Sequence, residues 1–370
     1  MNERISLLAL HLSGVVGPRR LKSVRTTFPK LEAVFGTTEE LLSNLEDWNP
    51  SSARKVLSLT DPLGRVQEEL EKAQSQGIRV LVDGDVDFPD VFKDLYDPPF
   101  VLWCQGTLLP SDRNSIAVIG CRKPSSYGRS AALKISEDVV RAGYTVVSGL
   151  ARGIDSLAHI GALKYPGGRT IAFLGSGLSH IYPPENKKLA YEIVDRGCLV
   201  SEYPLYSKPL SMHFPQRNRL ISGASKGVLV VEAKKDSGSF ITVDHALEQG
   251  RPVFAIPGPI THEQSEGTHA LIQQGAKLVT SVEDIFHELQ DLRAETLYKS
   301  RPLMETQTAP ELELTTEEKF LLDNLTFSPT HVDALVRETQ IPSRRLNEIL
   351  LTLEIKGKVQ QTPGHCYFKV

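Results

Sequence analysis

The sequence predicts an α/β protein with a Rossmann-like, mostly parallel sheet core, an N-terminal helical domain and a C-terminal winged-helix-like domain. Two observations carry the core. From Ser115 to about Glu288, short β-branched runs alternate with helical periodicity, the pattern of a parallel sheet covered on both faces. Several runs also end in a glycine-containing loop: Gly120-Cys121-Arg122, Ser148-Gly149-Leu150, Gly175-Ser176-Gly177 and Pro257-Gly258. Ligands of doubly wound sheets bind beyond the carboxyl ends of the strands, so these loops are expected to meet at one crevice.

Taken in order, residues 1–60 read as the helical domain, with Gly14-Val15-Val16-Gly17-Pro18 interrupting two apolar helical patterns. That break fits a helix-hairpin-helix, whose loop amides can meet phosphates, and residues 17–30 hold Arg19, Arg20, Lys22, Arg25 and Lys30 with no acidic residue. The same run also reads as a solvated helix face. Residues 61–112 read as a connecting segment and 113–290 as the core. Strands are predicted at Ser115–Ile119, Tyr144–Val147, Arg169–Leu174, Cys198–Ser201, Gly227–Val231 and Pro252–Ile256, with a short last one at Lys277–Thr280. Residues 291–312 are polar, carry Pro302 and Pro310, and read as a linker. Within 313–370, helices are predicted at Thr315–Leu325, Pro329–Glu338 and Ser343–Lys356, before a hairpin turning at Pro363-Gly364.

Composition narrows the function classes. The four cysteines among 370 residues are scattered without CxxC spacing, which disfavours a zinc site or disulfide framework and fits a reducing cytoplasm. Residues 5–16 are apolar but preceded by Glu3 and interrupted by His11, so they read as an amphipathic helix rather than a signal peptide. No run approaches the roughly 18 apolar residues of a membrane span, and no membrane association is expected. The net charge of −3 is unevenly spread: residues 1–60 carry +2, 61–112 carry −7, 113–290 carry +4 and 311–370 carry −2. A positive central domain can focus anions in a cleft whatever the total charge.

The candidate binding residues lie at the loops. After the strand ending in Ile119, Gly120 and Arg122 precede Ser125 at a helix start, a phosphate-site layout in which helix amides and a hydroxyl accept an anion beside a fixed guanidinium. The spacing is neither G-x-G-x-x-G nor a nucleoside-triphosphate loop, so no cofactor and no metal are expected. The second loop supplies Ser148, Gly149, Arg152 and Gly153, followed by Asp155 and His159, which read either as an acid–base couple or as a hydrogen-bonded structural pair. Before the fifth strand, Phe214, Arg217, Asn218 and Arg219 open a helix, where at about 100° per residue the two arginines are expected to fan outward while Leu220 and Ile221 pack inward; an ion pair of one arginine with Glu202 or Glu232 is the structural alternative. Glu232, then Ser237, Gly238 and Ser239, form another anion-friendly helix start, and Phe214 and Tyr127 are candidate stacking platforms.

The strings VIGCRKPSSYG, SGLARGIDSLAH, GGRTIAFLGSGLSHIYPPEN, FPQRNRLISG, VLVVEAKKDSGSFIT and GRPVFAIPGPI, in this order, resemble the DprA/Smf family of DNA-processing proteins. The resemblance implies a non-enzymatic Rossmann-like core that binds single-stranded DNA, a preceding sterile-alpha-motif-like domain and a following winged-helix-like one. It also implies a homodimer that partners the RecA recombinase in natural transformation or recombination. The chain departs from the family pattern at Cys121, Ser179 and His269. Pro184-Glu185 stands where some relatives place a basic residue, which weakens the third loop as a DNA contact. The alternative is a nucleotide-handling enzyme that hydrolyses the N-glycosidic bond of a nucleoside monophosphate with Glu232 as its carboxylate; the sequence only loosely approaches the P-G-G-x-G-T-x-x-E string of such hydrolases.

Overall fold

The structure, a computed structural model, describes residues 2–301, 314–326, 329–362 and 364–369. Its N-terminal part is helical: α1 Glu3–Leu12, α2 Pro18–Thr27, α3 Glu39–Ser43, α4 Pro50–Leu57 and α5 Pro62–Ser75. Asn2, Thr38, Asn49 and Asp61 cap α1, α3, α4 and α5 through side-chain oxygens that accept first-turn amides. The sheet follows as β1 Ile78–Val82, β2 Val101–Gly106, β3 Ser115–Ile119, β4 Thr145–Ser148, β5 Thr170–Leu174, β6 Cys198–Ser201, β7 Val228–Val230, β8 Val253–Ala255 and β9 Lys277–Leu278. Interleaved helices are α6 Ser126–Arg141, α7 Ile154–Lys164, α8 Lys187–Arg196, α9 His213–Gly223, α10 Ser239–Glu248, α11 Glu266–Gln273, α12 Val282–Leu289 and α13 Leu292–Ser300.

Strand order is β1-β2-β6-β5-β4-β3-β7-β8-β9, parallel from β6 to β9. The chain steps outward from β3 through β4 and β5 to β6, then returns to β7 on the other side of β3. The crevice between β3 and β7 is therefore the topological switch point. The strands are apolar at nearly every position because both faces are covered: Ile116 and Val118 of β3 pack against α6 and α12, while Ala117 and Ile119 face α9 and α10.

Strands β1 and β2 arise from what read as a connecting segment. They add antiparallel to β6, with Trp103 opposite Ser201, and β1 pairs with β2. Their inward residues Val80, Val82, Val101 and Trp103 join Leu7, Leu8 and Leu10 of α1 in one buried cluster that also takes in Ala172 and Leu174 of β5. The N-terminal helices thus share a core with one face of the sheet. The stretch read as a polar linker is, over Leu292–Ser300, a helix docked on the core. Asp291 caps it and accepts the Tyr144 hydroxyl at 2.6 Å, Ala294 is buried, and Tyr298 lies under the Arg141 guanidinium at 3.8 Å. Three cap and ring contacts and the burial of Ala294 outweigh a helix face too short and polar to show periodicity. The rest of that stretch, 302–312, lies outside the described residues.

The C-terminal unit has helices α14 Thr316–Asn324, α15 Val332–Thr339 and α16 Ser343–Ile355 around its own cluster of Leu321, Leu335, Leu346 and Leu350. A hairpin of β11 Val359–Thr362 and β12 Cys366–Lys369 follows, and the two-residue β10 Thr330–His331 pairs with β12. Pro363, placed in the turn by the sequence, lies outside the described residues. All four cysteines are free. Among the described residues, no helix is long and apolar enough to cross a membrane.

Candidate functional site

At the carboxyl end of β3, the loop 120–125 is pressed against the loop after β4. The amide of Ile154 donates to the Cys121 carbonyl at 3.2 Å. A Cβ on Gly153, whose φ is +80°, would run into the Cys121 carbonyl and lie 2.7 Å from Arg122 backbone atoms. Glycine is required there by both conformation and space. A Cβ on Gly120 would meet Glu232 and Ile154 at 2.7 Å, so the first loop is also held against the end of β7.

The N-terminus of α6 is already filled. The buried Glu232 carboxylate accepts the Ser125 amide at 2.9 Å and the Ser125 hydroxyl at 2.5 Å, while Ser125 caps the Gly128 amide at 3.1 Å. A side chain at Gly128 would collide with that carboxylate. The helix end that the sequence marks as a phosphate acceptor is satisfied by the protein's own anion, supplied by a strand 107 residues away. Ser125 and Gly120 are brought to the switch point but face inward onto Glu232.

The arginines divide by burial. Arg122 and Lys123 are exposed, and among the described residues neither side chain makes a hydrogen bond or ion pair. Arg217 is buried beneath Gly149: its Nη1 donates to the carbonyl oxygens of Gly149, at 2.7 Å, and Phe173, and its charge faces Asp155. Burial lowers its pKa, Asp155 opposes that shift, and Arg122 adds to it, so Arg122 and Arg217 lie within electrostatic reach of each other. Arg219 is buried too, donating to both Glu202 oxygens at 2.6 and 2.7 Å and pairing with Asp97 at 3.1 Å. The sequence reading put these two arginines outward and allowed an ion pair to one. The helix instead turns both into the protein, because the carbonyls and carboxylates that take them lie on other elements. Asn218 is half-buried and accepts Arg217 Nε at 3.2 Å.

Arg152 is exposed and forms an ion pair with Glu185, the acidic residue at the third loop's departure from the family pattern, with the Tyr182 ring 6.0 Å away. Ser148 is buried and donates to the Val118 carbonyl at 2.7 Å. Phe214 is half-buried, 5.6 Å from Tyr182 and over Gly175, where a Cβ would touch its ring at 2.8 Å. Tyr127 donates its hydroxyl to the Pro257 carbonyl at 2.7 Å and is held by it. At the start of α10, Ser237 donates to Ser239 at 3.0 Å, and Gly238 is exposed.

Asp155 and His159 do not bond to each other. Asp155 accepts the Gly149 amide at 3.2 Å; burial raises its carboxyl pKa, with Arg217 the largest opposing influence. His159 is fully buried and its Nδ1 meets the Thr170 hydroxyl at 2.7 Å, while that hydroxyl donates to the Val146 carbonyl. The imidazole must therefore donate through Nδ1. Burial and then Arg217 push its pKa down to about 3, and its Nε2 has no partner among the described residues. The two are thus neither an acid–base couple nor a hydrogen-bonded pair: each is buried on a different partner, Asp155 on Gly149 and His159 on Thr170. What sequence reasoning missed is Glu232's role as the cap of α6 and the exposed Lys123 beside Arg122.

A doubly wound sheet whose first switch-point loop carries two cations, unpaired among the described residues, above a buried arginine defines a Rossmann-like protein. The chain belongs to the DNA recombination-mediator protein A family, DprA or Smf: residues 79–290 match that family and residues 305–365 match the DprA winged helix domain. It is 45% identical to the DNA processing protein DprA of Bacillus subtilis over 59% of this chain and 73% of that one. The crystal structure of DprA from Streptococcus pneumoniae superposes with a TM-score of 0.65 at 36% identity, over 76% of this chain and 95% of that one. A Helicobacter pylori DNA processing protein A, described for its single-stranded DNA binding mode, superposes with a TM-score of 0.52 at 30% identity, over 58% and 95%. The chain is thus a DNA-processing, recombination-mediator family member.

Proposed function

We propose that this chain binds single-stranded DNA along the switch-point loops, as a homodimer in the cytoplasm, and helps load RecA on the strand without turning it over. The observation that carries the reading is that Arg122 and Lys123 on the loop after β3 are exposed and, among the described residues, unpaired, backed by the buried charge of Arg217. A guanidinium with no internal partner is available to a phosphate at no cost in broken ion pairs. Phe214, beside Tyr182, offers a face on which a base can stack, and Gly238 leaves backbone open to close approach. The Helicobacter pylori relative's single-strand binding mode and the family's recombination-mediator name support the same reading. Arg152, tied to Glu185, and Ser125, tied to Glu232, would have to exchange partners to contribute.

The test is a titration of labelled single- and double-stranded oligonucleotides at several salt concentrations. Single strands should bind more tightly, with a log–log salt slope of roughly −2 to −3 for three or four phosphate contacts at about −0.7 each. A slope near zero, or preference for duplex, overturns the reading. The hydrolase alternative requires Glu232 free to act on a substrate, and here its carboxylate is buried on Ser125. Release of free base from a nucleoside monophosphate, lost in Glu232→Gln, would reinstate it.

A further inference from the structure

Across α9 from the switch point, a cleft of about 1020 Å³ lies between the N-terminal helices and the core. Its walls are the hairpin 13–17 with the start of α2, one side of α5, the loop after β6, and α9. Helix α9 is common to both places. At about 100° per residue, Phe214 and Arg217 meet the loops after β5 and β4, while Gln216 and Arg219 line the cleft on the adjoining face and His213, between them, lines the cleft and meets the Gly175 carbonyl at 3.2 Å.

The cleft's charges are unequally committed. Glu68 is paired with Lys72, Glu69 accepts the Leu205 amide at 2.7 Å, and Asp97 and Glu202 hold Arg219; Asp47 is the exception among the acidic side chains that line it. In contrast, Arg19, Lys55 and Arg65 line the cleft without a hydrogen bond or ion pair from their side chains among the described residues; Arg19 makes only a ring contact, 5.7 Å above Tyr96. Deeper, Arg219 is 6% exposed and its Nη1 has no hydrogen-bond partner among the described residues. The hairpin adds a helix start of the same sign. Gly17 caps α2 with no side chain to accept the first-turn amides, the first turn has no acidic residue, and the Lys55 amine lies 3.9 Å from where a Cβ on Gly14 would stand. Uncapped amides flanked by free cations attract phosphate oxygens.

We infer that this cleft is a second phosphodiester-backbone site, which takes the continuation of a single strand held at the switch point and reached over α9. The inference rests on the single-strand reading above. It gives the basic hairpin a function that the switch point does not use, and it makes the N-terminal helices part of the DNA path.

The test uses the full chain, with oligonucleotides of roughly 6 and roughly 20 nucleotides, spanning the range of single-strand site sizes. The triple variant Arg19→Ala, Lys55→Ala, Arg65→Ala is compared with Arg122→Ala. The triple variant should bind the long strand at least tenfold more weakly, with a salt slope smaller by about 2 for three lost contacts, and bind the short strand as the parent does. Arg122→Ala should weaken both lengths. A triple variant with the parent's long-strand affinity and slope overturns the inference while leaving the switch-point reading standing. A parent chain that binds neither length overturns both. A triple variant that loses binding of inorganic phosphate while keeping that of the long strand also overturns it, since the cleft would then hold only small anions. Because a deleted side chain could act by loosening the hairpin, Lys55→Glu is the second arm: a long-strand affinity no lower than that of Lys55→Ala would overturn a charge-based site.

Discussion

Arg217 lies directly under Gly149: its Nη1 donates to the Gly149 carbonyl at 2.7 Å, and a Cβ on Gly149 would stand 2.7 Å from the guanidinium carbon. The glycine is thin so that the arginine can support the loop from below. Arg122, on the neighbouring loop, is exposed and unpaired among the described residues, and the two arginines have different tasks.

Replacing each with alanine should separate them. Arg122→Ala should weaken single-strand binding by about 1–3 kcal/mol, the worth of a charge-assisted phosphate contact, with thermal unfolding unchanged. Arg217→Ala should lower folding stability by about 3–5 kcal/mol, because it strands two carbonyls and the buried Asp155 carboxylate. Denaturant titration and fluorescence anisotropy on the two variants check this. Equal stability losses would mean that the burial of Arg217 does not matter to the fold.

Gly153→Ala should be harmful beyond its size. With φ at +80° and the Cys121 carbonyl in the way of a Cβ, the methyl must push the 120–125 loop aside. A loss of about 1–3 kcal/mol in stability is expected from overpacking, together with weaker DNA binding as Arg122 moves. An alanine variant with the parent's melting temperature and affinity would show that the loops are not in register as described.

His159 makes stability depend on pH. Its pKa is about 3 in the folded protein against 6.5 for an unburied imidazole. The folded state therefore excludes the proton that the unfolded state takes up. The stability this site contributes is fully present above pH 6.5 and is lost as pH falls toward 3, by up to about 1.4 kcal/mol per unit. Asp155, whose carboxyl is raised by burial, acts in the opposite sense, so His159→Asn is the arm that isolates the imidazole. The variant should show a shallower fall in unfolding free energy between pH 7 and pH 5; an identical slope would place the titration elsewhere.

A chain ending near Pro310 should keep single-strand affinity to within about threefold, or roughly 0.7 kcal/mol. The C-terminal unit has its own apolar cluster, and the arginines of α16 are turned to carboxylates. Arg345 bonds Glu317 and Glu348, and Arg344 lies 3.7 Å from Glu348. With a net charge of −2 over 311–370, the unit has little free positive charge for a phosphate backbone. A tenfold loss in a folded truncation would show that it contributes to the site.

The sequence alone determined the parallel strands β3 to β9 and the loops that end them. A strand buried on both faces must be apolar almost throughout, so Ser115–Ile119 or Thr170–Leu174 announces itself without partners. It also determined the C-terminal helices through their local leucine spacing, except that Thr330 and His331, read as the start of the second helix, form strand β10 because their partner, β12, lies about 35 residues on. Only the tertiary structure decided that β1 and β2 extend the sheet, since the pairing of β2 with β6 joins segments about a hundred residues apart. It likewise decided what each charged side chain does. Arg122, Arg217 and Arg219 are the same residue type in similar loop-and-helix surroundings. Their roles diverge because Gly149, Phe173, Glu202 and Asp97 come from other elements to meet two of them and leave the third to solvent. Desolvation and the partners within hydrogen-bonding distance set the work of a guanidinium, and both are properties of the folded chain.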